Sequence, residues 1–147
     1  MAKPVQSHTV LVADDSPDDC LIAMRAWEES RLGVDVRFVH DGKELLDYLY
    51  RRRKYWQSRN LPRPHLILLD LNMPRKDGRK FLVELKSNPA ISHIPVVVFS
   101  NSTHPQDIQI AETLGAYDFI TKPDTFQEYQ QVFRELGQTI LNREVVI

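Results

Sequence analysis

The stretch LILLDLNMP, residues 66–74, decides how the rest of the chain is read. Four aliphatic residues run straight into Asp70, and Asn72 and Pro74 follow. A short apolar run bounded by turn residues fits a strand buried on both faces. A carboxylate at the end of such a strand is costly to desolvate unless something pairs with it. The partners of Asp70 are therefore what the remaining sequence must supply.

Outward from this stretch, short apolar runs recur. They are TVLVA (9–13), VDVRFV (34–39), HLILL (65–69), VVVFS (96–100) and a weaker YDFIT (117–121). Their lengths and β-branched content predict five strands. Helix signals lie between them. Ser16-Pro17 reads as an N-cap followed by a first-turn proline, with Asp18 and Asp19 favoured by the helix dipole. Asp41 and Glu44 form a capping box ahead of Leu45, Leu46 and Leu49. Pro105 opens a helix through Ile108, Ala111 and Leu114 that stops at Gly115. Phe126, Tyr129, Phe133, Leu136 and Ile140 make one apolar stripe on a last helix, expected to face the sheet. Strands alternating with helices predict an α/β fold, a parallel sheet covered on both faces. The longest irregular region is about 51–64, RRRKYWQSRNLPRP.

Bulk properties exclude several classes. A chain of 147 residues suits one compact domain, and a net charge of -1 gives no global field for nucleic acid or acidic lipid. The lone cysteine, Cys20, cannot build an internal disulfide framework and reads as a buried bystander thiol in a reducing compartment. The N-terminus lacks a signal-peptide pattern, and no window approaches the roughly 20 apolar residues of a membrane span. A cytoplasmic location is expected.

In a doubly wound sheet, ligands bind beyond the carboxyl ends of the strands. Those ends carry Asp14 and Asp15 after strand 1, Asp70 after strand 3, Ser100 on strand 4, and Lys122-Pro123 after strand 5. Three clustered carboxylates repel one another unless a cation sits among them. Hard oxygen donors without His or Cys suit Mg2+, which favours one or two carboxylates plus a phosphate. Lys122 adds a compact positive charge for a phosphate. A carboxylate can itself attack phosphorus and become an aspartyl phosphate.

The pieces VLVADDSPDD, LILLDLNMPRKDG, IPVVVFSNS and GAYDFITKP, in this order and spacing, resemble the receiver domain of two-component response regulators over roughly residues 8–140. The resemblance implies a flavodoxin-like sheet of order 2-1-3-4-5 with five helices. It implies Asp70 as phosphoacceptor, Asp15 and Asp70 as direct Mg2+ ligands, Asp14 beside them, and the backbone carbonyl of Asn72 as a third protein ligand. Ser100 and Lys122 would contact the phosphoryl group, Phe119 falls at an aromatic switch position, and Lys122-Pro123 would be cis. It implies a histidine kinase as phosphoryl source and a signalling protein, not an enzyme, whose only chemistry is self-catalysed phosphotransfer and autodephosphorylation. Residues 1–147 are expected to form a single receiver domain with no output domain, so output would pass through a downstream protein or phosphotransfer partner. Asn101 departs from the family pattern, where a small alanine is usual, and Cys20 replaces a residue that is often charged. The long 51–64 stretch, with RPHLILLDLN and NPAISHIPVVV, resembles stand-alone regulators of cyanobacterial phytochrome histidine kinases.

Competing readings lack parts. A haloacid dehalogenase-type phosphatase wants a second acid two residues after the nucleophile, where this chain has Asn72. A P-loop nucleotidase needs a Gly-rich phosphate loop, and the glycines at 33, 42, 78, 115 and 137 stand alone. RRRKYW (51–56) could contact nucleic acid, but reads better as the end of helix 2, with cations on the helix C-terminus and aromatics packed locally. Finally, Ile110, Val132, Leu141 and the tail residues Val145, Val146 and Ile147 lie off the core stripes. They predict a homodimer on the helix 4, strand 5, helix 5 side.

Overall fold

The computed structural model describes residues 8–57, 61–73 and 78–141. Its strands are β1 (Thr9–Ala13), β2 (Asp35–Val39), β3 (Leu66–Leu69), β4 (Val96–Ser100) and β5 (Asp118–Thr121). The helices are α1 (Pro17–Glu29), α2 (Gly42–Leu49), α3 (Gly78–Ser87), α4 (Pro105–Thr113) and α5 (Phe126–Thr139). All strand pairings are parallel, in the order β2-β1-β3-β4-β5, as the resemblance implied. β1 and β4 have the expected bounds, and β2, β3 and β5 each start one residue later.

The strand alternation builds two cores. Leu11, Ile67, Leu69, Val96 and Val98 face one side, against Leu45, Phe81, Leu82 and Ala111 of α2, α3 and α4. Val10, Val12, Leu66, Leu68, Val97 and Phe99 face the other, against Ala23, Trp27, Tyr129 and Phe133 of α1 and α5. Trp27 stacks on Phe133 with ring centroids 4.4 Å apart. Each such buried aromatic contributes roughly 1.5–3 kcal/mol by transfer alone.

Local chemistry places the helices. The Ser16 Oγ accepts the Asp19 N–H at 3.2 Å, and the Asp41 Oδ1 accepts the Glu44 N–H at 2.7 Å. Glu44 closes its half of the box on the His40 N–H, one residue earlier than expected. α4 opens on Pro105 and is stopped by Gly115, whose φ of 94° is the left-handed region that glycine tolerates.

Four expectations need correction. No described peptide bond is cis, so Lys122-Pro123 is trans, the form that ordinary X–Pro sterics favour by about 0.5–1 kcal/mol. Leu141 is buried in the α1/α5 core at 3% exposure, because past Thr139 its N–H bonds to the Leu136 carbonyl, five residues back, and the α-helical spacing no longer holds. Phe126, expected to face the sheet, is 37% exposed, because it begins α5 where that helix is only entering the core. α2 ends at Leu49, before the cations, so they do not sit on its last turn. A 3-10 turn (Arg53–Tyr55) folds them back instead, and Trp56 stays exposed beside it. The tail residues Val145, Val146 and Ile147 lie outside the described residues.

Candidate functional site

Parallel register brings the strand ends together. Ala13 pairs with Leu69, so the residues that follow, Asp14 and Asp70, emerge side by side. The Asp70 N–H donates to the Ala13 carbonyl and the Asp14 N–H to the Val39 carbonyl, each at 3.0 Å. Across the sheet, the Lys122 N–H donates to the Ser100 carbonyl at 2.9 Å, which fixes the lysine at the same edge.

Lys122 answers the question of what pairs with Asp70. Its side chain is buried, and its Nζ lies 2.7 Å from Asp14, 2.8 Å from Asp19 and 3.1 Å from Asp70. Its ammonium donates to Asp19 and Asp70 and forms a close ion pair with Asp14, so three carboxylates crowd one cation. Burial alone would lower the Lys122 pKa, but hydrogen bonds to Asp14 and Asp19 and the charges of Asp14 and Asp70 raise it above its ordinary value. Asp14 is raised by burial, against the lowering effect of Lys122 and of the Ser16 N–H that donates to it at 2.9 Å. The other Asp70 oxygen accepts the Asn72 N–H at 3.0 Å.

Asp15 is exposed, yet one oxygen each from Asp14, Asp15 and Asp70 lies within 4.8 Å of the others. The set is all hard oxygen, next to a single ammonium. Its donor chemistry fits a hard divalent cation, and the surplus negative charge favours one.

The sequence singled out all of these residues except Asp19. Asp19 reads as an ordinary first-turn acid on α1, and its only sequence signal is that α1 begins directly after the Asp14-Asp15 pair. Gly78 was also missed as a site residue. A Cβ there would sit 2.8 Å from the Leu71 Cα and 3.0 Å from the Asp70 carbonyl oxygen, so only glycine lets α3 start against the loop that carries Asp70. Ser100 is fully buried at the end of β4, and its Oγ accepts the Ser102 N–H at 3.4 Å. Asn101 is exposed beyond it. Phe119 is half-buried and packs against the α2/α3/α4 core. Cys20 is a buried thiol whose pKa burial, assisted by Asp14, pushes up to about 12, so it stays protonated.

Fold and site together define a doubly wound α/β protein with a cation-ready carboxylate cluster, backed by one buried lysine, at the carboxyl edge of its sheet. The sequence profile of the response regulator receiver domain matches residues 10–134, and the chain belongs to that family. It is 35% identical over 113 residues to the response regulator Rcp1 of Synechocystis sp., covering 77% of this chain and 75% of Rcp1. The crystal structure of the phosphorylated cyanobacterial phytochrome response regulator RcpA is 34% identical, with a TM-score of 0.83, covering 92% of this chain and 95% of that one. A response regulator in red light signaling of R. palustris is 34% identical with a TM-score of 0.86, covering 95% of this chain and 99% of that one. The Mn(2+)-bound form of Rcp1 also matches, at 28% identity and a TM-score of 0.80, covering 95% and 99%. The chain is thus a receiver-domain signalling protein. Its acidic pocket is of the kind in which receivers hold a divalent metal, and a receiver implies a histidine kinase partner. No helix among the described residues is long and apolar enough to cross a membrane.

Proposed function

We propose that Asp70 accepts a phosphoryl group from a phosphohistidine of a histidine kinase, and that the chain signals through contacts that change when it does. The observation that carries this reading is the meeting of Asp14, Asp15 and Asp70 with a buried lysine at one sheet edge. An Asp70 carboxylate oxygen attacks phosphorus in line. The P–O bond forms as the P–N bond breaks, and the electron pair stays with the departing imidazole nitrogen. Asp14, Asp15 and Asp70, with the Asn72 carbonyl, would hold Mg2+, which neutralises charge on the phosphoryl oxygens.

Lys122 orients Asp70 beforehand and then pairs with the phosphoryl group that replaces its carboxylate partner. Ser100, next along β4, supplies a hydroxyl from a water-poor position. A phosphoryl group adds about -1.5 to -2 charge. That charge draws Ser100 and Lys122, and Phe119 follows by repacking between β5 and α4, a shift between two pre-existing arrangements. The similarity to phytochrome regulators supports a phytochrome-type kinase and a light-sensing pathway in the cytoplasm, with a downstream protein or phosphotransfer partner as the output.

A homodimer on the α4-β5-α5 side belongs to the same reading. Its support is the exposure of Ile110 at 38%, of Tyr117 and of Phe126 on that side, the same side that carries Phe119. Incubation with acetyl phosphate tests the chemistry. An acyl phosphate should form only with magnesium present and be cleaved by hydroxylamine. A hydroxylamine-stable product would rule out the carboxylate acceptor. Sedimentation velocity tests assembly: a monomer at tens of micromolar, with and without phosphodonor, would rule out the dimer.

A further inference from the structure

The phosphoacceptor reading leaves one charged group at the site without a role. Asp19 lies on the first turn of α1, fixed there by its own N–H donating to the Ser16 cap. Its carboxylate accepts a hydrogen bond from Lys122 at 2.8 Å, and it is not a member of the Asp14, Asp15 and Asp70 cluster. Asp19 is partly exposed, whereas Lys122 and Asp14 are not.

We infer that Asp19 is a positioning residue that sets the balance of the site between cation and anion: its charge favours the divalent metal and competes with the phosphoryl group for Lys122. Three carboxylates, Asp14, Asp19 and Asp70, meet one ammonium, and Asp15 lies within 4.8 Å of two of them. Lys122 Nζ is crowded by three carboxylate oxygens within 3.1 Å, so a phosphoryl oxygen gains a place on it only when a carboxylate gives one up. Phosphorylation of Asp70 removes the charge of one competitor, and Asp14 stays engaged with the metal. Asp19, on a separate element and open to water, is the partner that can yield at least cost. A negative charge at that point also attracts a metal ion and repels a phosphoryl dianion across a few ångströms. A merely structural clamp would support both ligands alike.

This inference rests on the phosphoacceptor reading, and the test separates the two. Magnesium affinity is measured by calorimetry on the full chain. The affinity for beryllofluoride, a tetrahedral phosphoryl mimic, is measured at saturating magnesium. Asp19→Asn keeps the shape and can still accept from Lys122, but loses the charge. It should weaken magnesium and tighten beryllofluoride, each on the order of tenfold, the size of one unit charge acting at a partly wet site. Asp19→Glu should return both toward wild type. If Asp19→Asn moves both affinities the same way, or neither, in a chain whose wild type binds both, the inference is wrong and the acceptor reading stands. A wild-type chain that binds neither overturns both.

Discussion

Two clusters of charge in this molecule obey opposite rules. At the carboxyl edge of the sheet, one lysine with a 3% exposed side chain faces three carboxylates. Beyond α2, the order is reversed. Arg52 and Arg53 share Asp47 at 3.4 and 3.6 Å, Lys54 and the Tyr55 hydroxyl meet at Glu44, and the Arg53 side chain is 67% exposed. The second cluster holds exposed cations against acids that are mostly buried, and an ion pair with one partner open to water contributes about 0–1 kcal/mol. The first holds its imbalance out of water, where unpaired charge is expensive. A folded chain that keeps such an imbalance is open to a cation and an incoming anion. The arginine run attracts the eye in the sequence, and three of its cations, Arg52, Arg53 and Lys54, pair with the fold's own acids, while Arg51 donates to the Leu61 carbonyl.

Substitutions should therefore split the two clusters widely. The largest effect is expected from Lys122→Ala. Removing the ammonium leaves buried carboxylates facing one another, a loss of about 3–5 kcal/mol without metal. Magnesium, which the ammonium does not ligate, should still bind and should restore much of that stability. Asp15→Ala should instead lose metal binding while leaving the fold intact. Melting of both variants with and without magnesium checks this, and metal loss in Lys122→Ala with retention in Asp15→Ala would reverse the assignment.

Gly78→Ala comes next. Its Cβ would strike backbone atoms of Leu71 and Asp70, which cannot yield as a flexible side chain would. A loss of about 1–3 kcal/mol is expected from such overpacking, together with slower phosphorylation, because the strained loop is the one that carries Asp70. Urea denaturation and phosphodonor kinetics on the same preparation would show both. The smallest effect is expected from Arg53→Ala, within about 1 kcal/mol and shrinking further in salt.

Two members of the first cluster respond to pH at opposite ends of the scale. The folded-state pKa of Lys122 is raised above its ordinary 10.5. Its contribution to stability is therefore fully present below pH 10.5 and lost as pH rises through the higher folded value. Asp14 is raised above 3.8, so the folded state binds its proton more tightly than the unfolded chain. In metal-free protein its ionisation costs stability as pH rises through that window, and Asp14→Asn should be more stable than wild type at neutral pH. Thermal melts across pH, with magnesium chelated, would show the crossover.

The sequence carried the fold because period and punctuation agreed. Continuous apolar runs marked β1, β3 and β4, and Ser16, Asp41 and Pro105 marked helix starts at the positions observed. The site was legible wherever a residue follows a strand directly, because parallel register aligns strand ends without further information. Asp19 was not legible, since its role depends on how far α1 tilts back over the edge, which no local pattern encodes. Gly78 was missed for a similar reason: its necessity comes from the approach of α3 to a distant backbone, not from its own φ. Leu141 misled because a helical stripe was extended past the last helical residue. Trp56 misled because proximity to Tyr55 in sequence did not give it a partner; Tyr55 packs edge-on against Tyr48, and Trp56 points away into solvent.

The central claim is that the carboxylate held by Lys122 at the end of β3 is the one that accepts a phosphoryl group. Intact-mass analysis of wild type and Asp70→Asn, incubated side by side with acetyl phosphate and magnesium, tests it most directly. The account predicts a single added phosphoryl group on the wild type and none on the variant. Phosphorylation of Asp70→Asn to the wild-type extent, or of neither protein, would contradict it.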